Sequence, residues 1–308
     1  MGSLISINAL EQNVGVSSVV LTLSERINYL TNKSICIVEL DYRNPSFSFI
    51  FEGESNRSKC IDNLVPFIKD TESVDSDFEE VLKINTIQFK NTNIDMLYGV
   101  KRDKELTDEQ VKCFLYSLTQ LYEVVIVDFG NKPIPIVIRD MSDINLLIVQ
   151  PTYRYLNKLK QNRIDYIDRK TKLVVNNSTE GIKRFTYLIK DTIQNADVIE
   201  TLPSSNTLVK TISRGFINID KGRYSDAITG LALKVCKHLN LPLRKNNSLI
   251  KKILGKYEVR EQMIHLEGNQ EYELAQQLLL NKICTEEDIK LCIKNMKERK
   301  KEGGDLGA

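Results

Sequence analysis

Residues Ser6–Ile27 read SINALEQNVGVSSVVLTLSERI. LISIN (Leu4–Asn8), which overlaps the start of this stretch, is a short apolar run suited to a first strand. From Val16 to Tyr29 the pattern becomes helical, with Val20, Leu23, Ile27 and then Leu30 on one face. Between the two lies the turn EQNVGVSS (Glu11–Ser18). A strand, a tight turn and a helix in this order can hold phosphate, because the free N–H groups of a helix start attract anions. By itself the spacing describes no more than a strand-to-helix turn.

Working outward, the same alternation repeats. SICIVEL (Ser34–Leu40), VVIVDF (Val124–Phe129) and INLLIVQP (Ile144–Pro151) read as strands, the last two nearly continuous apolar runs of the kind buried on both faces. KLVVNN (Lys172–Asn177) and VIETLP (Val198–Pro203) follow, and IDMLYG (Ile94–Gly99) is a shorter strand before a turn. Helical periods fall at Thr107–Leu121, Tyr153–Arg169, Thr179–Thr192 and Ser225–Leu239. This order predicts an α/β fold: a doubly wound, mostly parallel sheet flanked by helices, with its ligand site at the carboxyl ends of the strands. Residues 52–105 are less regular, with room for a helix or two. After about Leu249 the pattern turns to helix and charge, which divides the chain into a domain over 1–248 and a helical C-terminal extension over 249–308 with a flexible end.

Composition narrows the function. The net charge is +2, from 43 basic and 41 acidic residues, which gives no general electrostatic reason to bind nucleic acid or an anionic membrane. No apolar run has the length of a membrane span, and the N-terminus lacks the apolar segment of a signal peptide. The six cysteines are scattered without a CxxC pair, as suits reduced thiols in the cytoplasm, and the two histidines, His238 and His265, stand apart.

A working phosphate loop needs glycines that let N–H groups close around phosphate, a lysine for the β/γ-phosphates and a hydroxyl for magnesium. GxxxxGK[ST] is absent here. EQNVGVSS is nearest to the deviant KGGVGK[ST][ST] loop of the ParA/MinD group. On that pattern Glu11 takes the first lysine and Gln12 and Asn13 the paired glycines; Gly15 is retained, Val16 replaces the phosphate lysine, and Ser17 and Ser18 keep the hydroxyls. Further pieces resemble the same group in order and spacing over roughly residues 3–245. CIVELD is similar to its VLLVDLD, with Asp41 at the carboxylate that positions the attacking water. LYEVVIVDFG is similar to YDYVIIDTP, with Asp128 at the aspartate near magnesium. KLVVNN is similar to the strand that ends in an asparagine beside the base, here Asn176. IETLPSSNTLVKTISRGFINIDKG resembles the closing segment, with Pro203 and Gly215 at matching points and Ile217 near the expected proline. Within the group, the run from Ile94 to Gly130 is closest to the CpaE-like branch, which is associated with assembly of Tad-type pili.

The resemblance implies a catalytically degenerate pseudo-ATPase that acts as a scaffold or localisation factor for a bacterial pilus or secretion apparatus. Val16 supplies no cation, and Glu11 would repel phosphate beside Asp41 and Asp128. No cofactor is expected, and ATP with magnesium only if the loop has been rebuilt; the oxygen set for a weak magnesium site is Ser17, Asp41 and Asp128. The alternative is an active ATPase with a rearranged site, its cation drawn from Arg154, Lys210 or Arg214. A DNA-partition protein is a third reading, disfavoured by the charge balance. The implied partners are pilus or secretion-system proteins, including an assembly ATPase, or a second copy joined without ATP. DNA is not among them, and membrane contact is only peripheral or indirect. The expected location is the cytoplasm or the inner face of the cell membrane.

In the extension, SLIKKILGKYEV (Ser248–Val259) resembles the short basic segment that closes many CpaE-like chains. The run after it resembles the small helical module of type II secretion and type IV pilus ATPases. Leu274, Leu278, Leu279, Ile283, Thr285, Ile289 and Ile293 fall on its skeleton. Glu273, Ala275, Lys282 and Met296 stand where some relatives bind cyclic di-GMP through other residues, so that binding is not carried over. A docking element for a secretion machine and a generic helical hairpin both fit the run.

Overall fold

The computed structural model describes residues 1–42, 44–47, 60–68, 76–89, 92–99, 106–162, 167–178, 197–205 and 222–244, with Phe185, Leu188 and Ile189. In chain order the elements are β1 (Ser3–Ala9), α1 (Val16–Thr31), β2 (Ile35–Glu39), α2 (Ser76–Asn85), β3 (Ile87–Gln88), β4 (Ile94–Leu97) and α3 (Asp108–Leu121). β5 (Val124–Asp128), α4 (Ile136–Met141), β6 (Ile144–Val149), α5 (Tyr153–Gln161), β7 (Thr171–Ser178), β8 (Val198–Pro203) and α6 (Arg223–His238) complete them.

The described strands form one sheet in the order β3-β4-β2-β5-β1-β6-β7-β8. Every neighbouring pair is parallel except β3–β4. The central strands carry apolar side chains toward both faces: Ile5, Ile7, Ile35, Ile37, Val125, Ile126, Leu146 and Leu147 are all buried. Such strands need helices on both sides, which explains the parallel arrangement. From β1 the chain runs outward to β2 on one side and later to β6 on the other. The loops leaving β1, β5 and β6 therefore open into one crevice, where such sheets place ligands.

α1 forms because Val16, Val19, Val20, Leu23, Ile27 and Leu30 share a buried stripe. Its buried hydroxyls are satisfied within the helix: Thr22 donates to the Ser18 carbonyl at 2.7 Å and Ser24 to that of Val20 at 2.7 Å. It ends at Asn32, whose left-handed backbone (φ 63°) turns its N–H onto the Asn28 carbonyl. α6 packs beside it, with Thr22 and Tyr224 hydroxyls 3.2 Å apart. On the other face α3 starts with a capping box, in which Thr107 and Gln110 satisfy each other's backbone N–H groups. Its Phe114, Leu115 and Leu118 enter a core with Leu97, Val125 and Phe78.

The expected parallel α/β sheet is present, with three local differences. The helix expected over Tyr153–Arg169 stops at Gln161. Asn162 bonds back to the Lys158 carbonyl, and Asp168 instead forms a turn with the Thr171 hydroxyl at 2.7 Å. α4 went unread because six residues between Pro135 and Ser142 are too few to show a period. Residues 52–105 supply α2 and β3 as well as β4. Of the helix expected over Thr179–Thr192 only Phe185, Leu188 and Ile189 are described, and all three are helical. The extension over 249–308, with Gly215 and Ile217, lies outside the described residues. Among the described residues no helix is long and apolar enough to cross a membrane.

Candidate functional site

The loop after β1 borders a cleft of about 530 Å³ at the carboxyl end of the sheet, lined by every residue from Glu11 to Ser18 and by Asp41, Ser46, Gly130 and Asn176. Two contacts fix where the loop begins. The Ala9 N–H donates to the Gly130 carbonyl at 2.8 Å, and the Leu10 N–H to the Tyr155 hydroxyl at 2.8 Å. Asn13 takes the left-handed conformation (φ 59°) that the paired-glycine position invites, and asparagine tolerates it well. Gly15 is left-handed too (φ 91°), and a Cβ there would stand 2.4 Å from the Asn176 Nδ2. That amide donates to the Val14 carbonyl at 2.8 Å, so β7 straps the loop where only glycine leaves room. Gly15 is also the N-cap of α1, with no side-chain hydrogen bond on the first turn. Ser17 is therefore not the cap that a helix start would suggest.

Glu11 is the first departure from what its charge predicts. The sequence leaves it an uncompensated carboxylate; the fold supplies two cations from α5. Lys158 Nζ lies 2.6 Å from Glu11 Oε1 and Arg154 Nε 3.3 Å from it. The Lys158 hydrogen bond is the main cause holding the Glu11 carboxyl below its ordinary range, against some desolvation, with Arg154 adding to it. Val16, at the phosphate-lysine position, is buried at 7% exposure and contributes to the core.

The floor of the cleft is built differently. Asp128 ends β5 and is fully buried. One oxygen accepts the Gly130 N–H at 2.8 Å, while Oδ2 has no hydrogen-bond partner. Burial pushes its pKa up to about 6, opposed by the nearby Ser17 hydroxyl and the Gly130 N–H and reinforced by Asp41. Opposite it in register stands Glu39, the last residue of β2 and also fully buried. Its Oε1 accepts the N–H groups of Ser46 and Phe47, the latter at 3.0 Å, and the Ser46 hydroxyl at 3.1 Å. Desolvation, then the charge of Asp128, raises Glu39 to about 8, so it is protonated at neutral pH. Asp41 accepts the Asn44 N–H at 3.2 Å and presses on Gly130, where a Cβ would meet its Oδ2 at 1.9 Å. With φ +60° as well, Gly130 has two reasons to be glycine.

Of the residues singled out in sequence, Glu11, Gln12, Asn13, Gly15, Val16, Ser17, Ser18, Asp41 and Asn176 line the cleft, and Asp128 lies beneath it. Arg154 is brought to the loop, but onto Glu11; Lys210 and Arg214 lie outside the described residues. Glu39, Ser46, Gly130 and Lys158 were missed. A signal for Glu39 was present, since the VLLVDLD pattern has a first aspartate two residues ahead of the second, and Glu39 fills it in CIVELD. Nothing local marks Ser46 or Lys158.

The arrangement fits a magnesium–triphosphate poorly. Neither lysine position carries a cation, and Ser17 already accepts a hydrogen bond from the Ser46 hydroxyl at 2.8 Å. Among the described residues no three Asp, Glu, His or Cys side chains are arranged to hold a metal.

These features define a doubly wound α/β protein with the strand–loop–helix of a nucleotide-binding fold. The fold is that of the ParA/MinD ATPases. It superposes on a ParA family ATPase from Chlorobium tepidum TLS with a TM-score of 0.63 at 12% identity, covering 76% of this chain and 99% of that one. It matches the MinC:MinD cell division protein complex of Aquifex aeolicus with a TM-score of 0.61 at 18% identity, over 77% and 96% of the two chains. A third likeness is the septum site-determining protein MinD of Pyrococcus horikoshii OT3, complexed with Mg-ADP, at TM-score 0.57 and 14% identity, over 77% and 97%. No family model and no curated protein sequence matches the chain. At these identities the likeness is one of fold.

Proposed function

We propose that this protein is a catalytically degenerate member of the ParA/MinD-type ATPases, a scaffold or localisation factor for a bacterial pilus or secretion apparatus. The observation that carries the first half is the state of the loop: Glu11 is held by Lys158 and Arg154 on its own α5, and Val16 is buried. A charge-assisted contact to phosphate is worth about 1.5–3 kcal/mol, and both positions that would supply one are changed. The contacts of Tyr155, Asn176 and Ser46 instead hold the loop through the chain itself. The second half is supported by the CpaE-like order of β4, the capped start of α3 and β5, together with the module-like run after Glu273.

The rearranged-ATPase alternative has less support, because Arg154 is engaged by Glu11. A partition role on DNA would rest on a basic surface, and the net charge of +2 does not favour one. Titration of the purified chain with ATP and magnesium by calorimetry, with ADP alongside, tests the reading. No saturable heat is expected, and light scattering should give the same mass with and without ATP. ATP hydrolysis that disappears in Asp41→Ala or Asp128→Ala would overturn it.

A further inference from the structure

The cleft at the carboxyl end of the sheet measures about 530 Å³, within the range of small-molecule sites. Its walls come from six places in the chain: the loop after β1, the segments after β2, β5 and β8, the end of β7 and, through Tyr224, the start of α6. A hollow walled on so many sides suits a small molecule, whereas peptides are recognised along a sheet edge or a groove.

Six carboxamides line it: Gln12, Asn13, Asn44, Asn131, Asn176 and Asn177. Five hydroxyl side chains, four serines and Tyr224, stand among them. Its charged side chains are both carboxylates, Glu11 and Asp41, and among the described residues that line it there is no lysine, arginine or histidine. The cations that do reach the loop, Lys158 and Arg154, lie against Glu11. An anionic group on a ligand would therefore meet carboxylates with no cation among these residues to offset it. A hydroxyl, in contrast, donates one hydrogen bond and accepts two, so it pairs with either end of a carboxamide or with another hydroxyl. Asn176 is already tied to the Val14 carbonyl at 2.8 Å. Asn13 and Asn177 stand in left-handed backbone (φ 59° and 56°), so both side chains leave the chain from fixed turns.

We propose that the cleft binds an uncharged polyhydroxylated small molecule, a sugar, with Asn131 and Asn177 among its hydrogen-bonding partners and Asp41 as the residue that turns phosphorylated forms away. The proposal rests on reading the cleft as non-catalytic and names its ligand class. A cleft that had only lost its ligand need not stay open, yet this one keeps its volume and a largely polar lining.

Saturation-transfer NMR on the full chain tests it with two matched pairs of probes, D-glucose against glucose 6-phosphate and D-ribose against ribose 5-phosphate. At least one neutral sugar should give a saturable signal, and its phosphate ester should bind at least about tenfold more weakly. Asn177→Gly keeps the left-handed backbone, and Asn131→Ala lies outside the loop after β1. Each should weaken the neutral sugar about two- to tenfold, the effect of one lost hydrogen bond. If Asn177→Gly folds poorly, Asn131→Ala makes the same comparison. Asp41→Asn should narrow the gap between the neutral sugar and its phosphate ester, which a merely structural role of Asp41 would not do. No saturable signal from either neutral sugar, or phosphate esters bound as tightly as their parents, would overturn the proposal. Binding that neither asparagine variant weakens would overturn it too. The non-catalytic reading survives a failure to bind sugar and fails separately if the wild type hydrolyses ATP.

Discussion

Glu11 on the loop and Glu39 on the floor are the same side chain in opposite surroundings. Glu11 keeps 19% of its side-chain surface and faces Lys158 and Arg154; its carboxyl is held below the ordinary range. Glu39 is fully buried opposite Asp128 and is raised to about 8. The contrast shows that a cleft read as uniformly acidic from its sequence has a rim carboxyl that gives up its proton readily and floor carboxyls that hold theirs more tightly. The rim carboxylate is met by cations, whereas burial and the facing Asp128 favour the protonated form of Glu39.

The largest expected effect lies on the floor. Glu39 (about 8, ordinarily 4.5) and Asp128 (about 6, ordinarily 3.8) both bind protons more tightly in the folded chain than in the unfolded one. Their contribution to stability is therefore fully present below pH 4 and lost as pH rises through the window up to about 8. The rise at Glu39 alone corresponds to on the order of 5 kcal/mol of unfolding free energy lost across that window. Glu39→Gln keeps the acceptor for Ser46 and Phe47, removes the titration, and should unfold at higher denaturant than wild type above pH 8. Equal stability of the wild type at pH 5 and pH 8 would break the contrast between rim and floor.

A smaller effect is expected where the loop leaves β1. The Tyr155 hydroxyl is buried, donates to the Ile148 carbonyl at 2.6 Å and accepts from the Leu10 N–H. Tyr155→Phe removes both hydrogen bonds and should cost about 1–3 kcal/mol in urea unfolding. A cost near zero would mean that the loop is not held from α5. The rim pair is the smallest. Lys158 is 39% exposed, so screening limits its bond with Glu11 to about 0.5–1 kcal/mol. Lys158→Glu should lose that amount at low salt, and adding Glu11→Lys should restore most of it. An undiminished loss in the double variant would show that the two side chains do not act through each other.

The sequence by itself determined the layers of this protein. Apolar runs such as Val124–Val127 can be buried only in a two-sided sheet, and the Val20, Leu23, Ile27 and Leu30 stripe can only be a helix packed on it. It also located the cleft, because a strand, a turn with Gly15 and a helix start are local signals. Only the tertiary structure decided the state of that cleft. Lys158 is 147 residues from Glu11, and nothing in the periodicity of α5 aims its ammonium at the loop. Likewise Ser46 reaches Ser17 because Phe47 is buried and Glu39 collects its backbone N–H groups. Patterns along a chain report which face of an element is apolar. Which charge meets which, and how far from water, follows from the way the elements close on one another.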